Sequence, residues 1–230
     1  MLINNQPLFR PSIWDYAKVR KLYSFFVRGR RFQFLRPKVQ SGEYVNIGCG
    51  PNTNNELVCV DYHWYRGVDL CWDITKPLPW KDATLKGIFS EHCLEHITFA
   101  DCAFVLKACR RMLMPGGTIR IVVPDGELYL DLYRRVRTGE NVRFPYQTPA
   151  EVTAIMCVNR IFREFTHIFI YDEETMSLML SRAGFVNIRR ESYMKGRDAK
   201  LLLDTEMRAV ESLYIEASVP DHNETVSATT

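Results

Sequence analysis

From Gly42 onward, short β-branched runs alternate with longer stretches of helical period, and this alternation restricts the fold more than any other feature of the chain. Candidate strands are 44–47, 57–61, 68–72, 86–90, 118–123, 185–192 and 212–218. Between them, 98–113 sets Phe99, Cys102, Ala103, Leu106, Cys109 and Leu113 on one helical face, with Thr98 as N-cap and Pro115-Gly116-Gly117 as the stop. Segment 173–183 is a second helix, capped by Asp172 and ended by Gly184. Two further helices are predicted at 127–138 and 149–165, the latter with Thr148 as N-cap and Pro149 at its first position. They form a helical insertion, a cap over about 126–170, ahead of the last helix. Strands alternating with helices imply an α/β domain with a mostly parallel seven-stranded sheet and flanking helices. A length of 230 residues suits one such domain, over 42–219, with a polar tail at 220–230 expected to fray.

Charge is unevenly placed. Residues 1–40 hold nine Lys/Arg against Asp15 alone, a net of +8, so the remainder carries −5 of the total of +3. Aromatic and aliphatic residues from Trp14 to Phe34 interleave with those cations, so 1–41 reads as a basic amphipathic extension. Its stretch 10–38 could dock on an acidic membrane surface, a protein or a polyanion. The plainer expectation is a helix packed on the domain with its cations solvated. No run reaches the ~18 apolar residues of a membrane span, and the N-terminus lacks the pattern of a signal peptide. Seven cysteines without a CxxC pair fit reduced thiols, and a cytoplasmic location is expected.

The chemistry starts at Val45-Asn46-Ile47-Gly48-Cys49-Gly50, where two glycines directly after a strand let the backbone turn and approach a ligand. Asp61 ends the second strand, where a carboxylate can accept from ribose hydroxyls, and Asp73 ends the third. Then follow Pro77-Leu78-Pro79, Ser90-Glu91-His92-Cys93-Leu94-Glu95-His96, Leu113-Met114-Pro115-Gly116-Gly117 and the closing Ala183-Gly184-Phe185 and Ser212–Ala217. In that order and spacing the chain resembles class I S-adenosylmethionine-dependent methyltransferases, in particular their compact type 11-like subfamily, over roughly residues 42–218.

The resemblance implies a Rossmann-like fold and S-adenosylmethionine as cofactor. It implies Asn46, Gly48 and Gly50 at the methionine part, Asp61 at the ribose, Asp73 with Ile74 at the adenine, and Ser90, Glu91 and His92 beside the transferable methyl. The chain departs from many class I enzymes in having Asn46 in place of an acidic residue. It also has only six residues, 51–56, between the glycine loop and the second strand, too few for a helix. A dinucleotide is disfavoured because Asn52 stands where a third glycine would open a helix toward a pyrophosphate. A cationic sulfonium is suited by Glu91, Asp61 and Asp73.

His92-Cys93-Leu94-Glu95-His96 also matches the inverted zinc-hydrolase pattern H-x-x-E-H. Such a site needs a continuous helix and a downstream ligand, whereas this run follows a strand at once, so no metal is expected. Methyl transfer is an in-line displacement that needs orientation and desolvation first. A hydroxyl acceptor adds the need for a base, and His92 and His167 are the candidates, with Tyr171 and Asp125 as helpers. The expected acceptor is a small-molecule or glycan hydroxyl. The rivals are an inactive cofactor-binding partner protein and an RNA methyltransferase; nucleic acid is disfavoured by the −5 charge of the body.

Overall fold

The computed structural model describes residues 16–221. In chain order the elements are α1 (Tyr16–Val27), α2 (Pro37–Ser41), β1 (Tyr44–Ile47), β2 (Val58–Asp61), β3 (Leu70–Cys71), β4 (Leu85–Glu91), α3 (Phe99–Met112), β5 (Leu113–Pro124), α4 (Gly126–Arg137), α5 (Ala154–Arg163), α6 (Glu173–Arg182), β6 (Val186–Arg190) and β7 (Ser212–Ser218). One sheet runs β3-β2-β1-β4-β5-β7-β6. The pairs from β3 to β5 are parallel, and β7 lies antiparallel to both β5 and β6.

Strands β1, β4 and β5 are covered on both sides, which is why they read as nearly unbroken apolar runs. On one face Val45, Ile47, Ile88, Ile119 and Ile121 pack with Val105 and Leu106 of α3 and Met176 and Leu180 of α6. On the other, Phe89, Val122 and Tyr214 pack with Leu57 and Leu201. Helices α4 and α5 bury a small core of their own around Tyr129, Leu132, Phe144, Cys157, Val158 and Ile161.

Three expectations change. Helix α3 begins at its Thr98 cap but ends at Met112, and β5 starts at once: Pro115-Gly116-Gly117 is a register irregularity inside a strand, not the helix stop. Helix α5 begins at Ala154, because Thr148 donates its N–H and hydroxyl to Glu151 and closes a turn instead of capping the helix. The cations of the extension are not all solvated. Arg20 stacks on Tyr65 at 4.4 Å, and Arg28 stacks on Tyr62 at 3.4 Å while donating to its carbonyl. Ser24 accepts from Trp64 N–H at 2.8 Å, and the buried Gln33 bonds both backbone groups of Cys71. Leu22, Phe25 and Phe26 stay exposed. Residues 1–15, with Arg10, Trp14 and Asp15, and residues 222–230 of the tail lie outside the described residues. Among those described, no helix is long and apolar enough to cross a membrane.

Candidate active site

Strand order reverses between β1 and β4, and at such a point the loops leaving the carboxyl ends diverge and open a crevice. A cavity of about 810 Å³ lies there, walled by the loops after β1, β2, β3 and β4, by Thr166 of the cap, and by Leu203, Thr205 and Arg208. That volume is in the range of small-molecule and cofactor sites.

Asn46, Gly48, Gly50, Asp61, Asp73, Ile74, Glu91 and His92 all line this cavity. Asn46 Oδ1, His63 Nδ1 and Trp72 Nε1 are buried there with no hydrogen-bond partner among the described residues. Unpaired buried polar atoms on a cavity wall ask for a polar ligand. Gly50 has φ +54° and open space where a Cβ would project, so a ligand can approach its backbone. Gly48 differs. At φ +75° its Cβ would stand 2.3 Å from Cys93 Sγ, so its bareness serves close packing of the loop on the turn after β4. Asp61 accepts from Gly50 N–H at 2.8 Å and His63 N–H at 2.7 Å, and burial pushes its carboxyl above the usual range. Asp73 accepts from the N–H and hydroxyl of Thr75 through one oxygen only. Both aspartates therefore shape their loops and keep acceptor capacity.

Other expected residues stand elsewhere. Ser90 is buried but is not part of the cavity wall. Alternation along β4 puts Phe89 and Glu91 on the cavity's side and Ser90 on the opposite one. Glu91 does not present a free carboxylate: it accepts from Thr205 N–H at 2.8 Å and hydroxyl at 2.6 Å, and pairs with Arg208 at 3.3 Å. His92 directs Nε2 to Ser212 Oγ at 2.9 Å and Nδ1 toward Glu95, and burial lowers its pKa to about 3. His167 is not on the cavity wall; its Nδ1 meets the Ile161 carbonyl at 2.7 Å and its ring lies 5.0 Å from that of His96. Tyr171 and Asp125, expected as helpers, do structural work. Tyr171 is wholly buried in the core, and Asp125 caps α4 through Leu128 N–H while pairing with Arg190 at 2.7 Å.

The sequence reading left out the wall at 203–208. Its anchor is Arg120, wholly buried on β5. The guanidinium forks onto Asp204 at 2.8 and 2.5 Å, reaches Glu216 at 2.9 Å and donates to the carbonyls of Lys195 and Ser192. An arginine inside the apolar run Thr118–Val123 was the available signal, since a buried charge must find partners.

Residues 52–121 match the family model described as a methyltransferase domain. A comparison with curated proteins returns no match. Among solved structures, an S-adenosylmethionine-dependent methyltransferase from Archaeoglobus fulgidus superposes with TM-score 0.49 and 16% identity, covering 89% of this chain and 100% of that one. A methyltransferase from Thermotoga maritima, described as a possible histamine N-methyltransferase, gives 0.49 and 15%, covering 88% and 95%. A putative methyltransferase in complex with the Haloferax volcanii activator Trm112 gives 0.46 and 14%, covering 91% and 94%.

Proposed function

We propose that this chain, whose residues 52–121 match a methyltransferase-domain model, takes S-adenosylmethionine as its cofactor and methylates a hydroxyl of a small-molecule or glycan acceptor. The observation that carries the reading is one cavity whose walls bring Asn46, Asp61 and Asp73 together with His96, Thr166 and Arg208. The first group matches a nucleoside amino acid in chemistry: acceptors for ribose and adenine, an unpaired amide, and bare backbone at Gly50. The second offers several hydrogen-bonding side chains in a confined space, which suits a hydroxylated acceptor of modest size better than a polymer.

The cofactor supplies an activated methyl group. The chain's own residues then have four tasks. Asp61 accepts from the ribose while holding Gly50 and His63 in place. Asp73 and Ile74 receive the adenine, one by hydrogen bond and the other by apolar contact. Glu91 fixes Thr205 and Arg208 so that the acceptor wall stands, in place of facing the sulfonium. His92 holds its Nε2 on Ser212 Oγ and His167 its Nδ1 on the Ile161 carbonyl, so both rings brace the acceptor wall, and rate enhancement comes from orientation and exclusion of water.

The test is calorimetric titration with S-adenosylmethionine and S-adenosylhomocysteine, then transfer of labelled methyl to a panel of sugars, phenols, amines, peptide and RNA. Micromolar cofactor binding and label on a hydroxyl are expected. Absence of binding by folded protein overturns the cofactor assignment. Label on RNA, with affinity falling steeply as salt rises, overturns the acceptor assignment.

A further inference from the structure

Glu95 is wholly buried, and neither carboxylate oxygen has a hydrogen-bond partner among the described residues. Three imidazoles close on its Oε1: His92 Nδ1 at 3.6 Å, His167 Nε2 at 3.8 Å and His96 Nε2 at 3.9 Å. The opposite nitrogen of each ring meets an acceptor. His167 Nδ1 faces the Ile161 carbonyl, which can only accept. His92 Nε2 faces Ser212 Oγ, whose hydrogen goes to the Arg208 carbonyl. His96 Nδ1 faces Thr166 Oγ1, whose hydrogen goes to the Phe165 carbonyl. These partners assign the proton of each ring to its outer nitrogen, so three lone pairs converge on one carboxylate. A proton on Glu95 would satisfy one of them and leave two facing it unpaired.

We propose that Glu95, His96 and His167 bind a divalent transition-metal ion of the zinc class. One ligand atom from each of the first three lies within 4.8 Å of the other two. Zinc holds nitrogen and oxygen ligands at about 2.0–2.2 Å, which sets tetrahedral neighbours roughly 3.4 Å apart, so the 3.8 and 3.9 Å separations from Glu95 close by about half an ångström and the histidine nitrogens, within 4.8 Å of each other, draw together on the ion. Neutral imidazole with carboxylate is a donor set such ions favour, and the outer hydrogen bonds fix tautomer and ring orientation as metal-binding histidines require. The H-x-x-E-H run follows a strand instead of lying on a continuous helix, yet the fold brings the downstream His167 to it. Ile168 N–H and Phe169 N–H, both bonded to the Glu95 carbonyl, hold that segment in place. His92 and His96 also line the cavity, so the ion would stand at its wall, clipping the cap to the turn after β4.

The test uses full-length protein stripped with a chelator. Zinc is titrated in competition with a chromophoric indicator, and cobalt(II) is added separately and followed by its visible ligand-field absorption. One equivalent of zinc and a cobalt band are expected, with His167→Ala and Glu95→Gln each weakening zinc by at least roughly 10–100-fold, the loss that removal of a mere hydrogen-bond partner of a ligand already brings. His96→Ala, at the more exposed ligand, replaces Glu95→Gln if that variant does not fold. Zinc affinity equal in wild type and variants, without a cobalt band, overturns the site. S-adenosylhomocysteine binding on the same samples reports the cofactor site independently. A variant that binds it but not zinc has kept its fold, and wild type that binds zinc alone refutes the proposed function while retaining the metal site.

Discussion

Arg120→Met should cost about 3–4 kcal/mol and dismantle the acceptor wall. All five guanidinium N–H directions are engaged in the native protein, on Asp204, Glu216 and two carbonyls. Methionine fills a similar volume, so the loss is chiefly electrostatic: two carboxylates stay buried without their counter-ion. Breaking a buried pair in this way costs roughly 3–5 kcal/mol. The lower part of that range applies because Asp204 still accepts from Met194 N–H at 2.7 Å and Glu216 from Arg197 N–H at 2.8 Å. With a urea slope of about 2–3 kcal/mol per molar, the unfolding midpoint should fall by about 1–2 M. Adding Asp204→Asn should recover part of the loss by removing one uncompensated charge. Because Asp204 adjoins Leu203 and Thr205, cofactor or acceptor binding should weaken as well under conditions where the variant is folded. A midpoint within about 0.3 M of wild type, with no recovery on Asp204→Asn, would refute the claim that this network anchors the wall.

Asp61→Ala should weaken S-adenosylhomocysteine by roughly 1–3 kcal/mol in calorimetry, the worth of hydrogen bonds to a buried charged acceptor; unchanged affinity in a folded variant removes the ribose assignment. Gly48→Ala and Gly50→Ala should separate. The first, which drives a Cβ into Cys93, should appear as a lowered melting temperature. The second carries only about 1–2 kcal/mol of left-handed strain and should appear mainly as lost cofactor affinity. Asp125→Ala should lower stability by about 1–2 kcal/mol through its lost cap and its pairing with Arg190, yet leave the KM for the acceptor unchanged in steady-state kinetics; a raised KM would return Asp125 to the active site.

Much of the architecture was legible because it rests on near-neighbour physics. Short β-branched runs placed the strands, period-3.6 burial placed α3, and Thr98 and Asp172 cap α3 and α6 through N–H groups three residues ahead. Asp61 and Asp73 reach one cavity because parallel strands end on one edge of the sheet. Ser90 shows the same rule overlooked, since one step along β4 turns a side chain to the other face. Thr148 shows its limit, since Glu151 offered a closer partner than the helix it was expected to cap.

Other features belong to tertiary structure alone. Arg120 finds Asp204 and Glu216 at sequence separations of 84 and 96, and Glu91 finds Thr205 at 114. Glu95 meets His167 only because the cap folds back onto the turn after β4. The sequence by itself determined the elements and the loops that bear carboxylates, since dihedral preference and burial period act over a few residues. Which distant charge lies against which, and hence the acceptor wall and the Glu95 cluster, was decided by chain closure, because pairing over such separations depends on how the whole sheet is ordered.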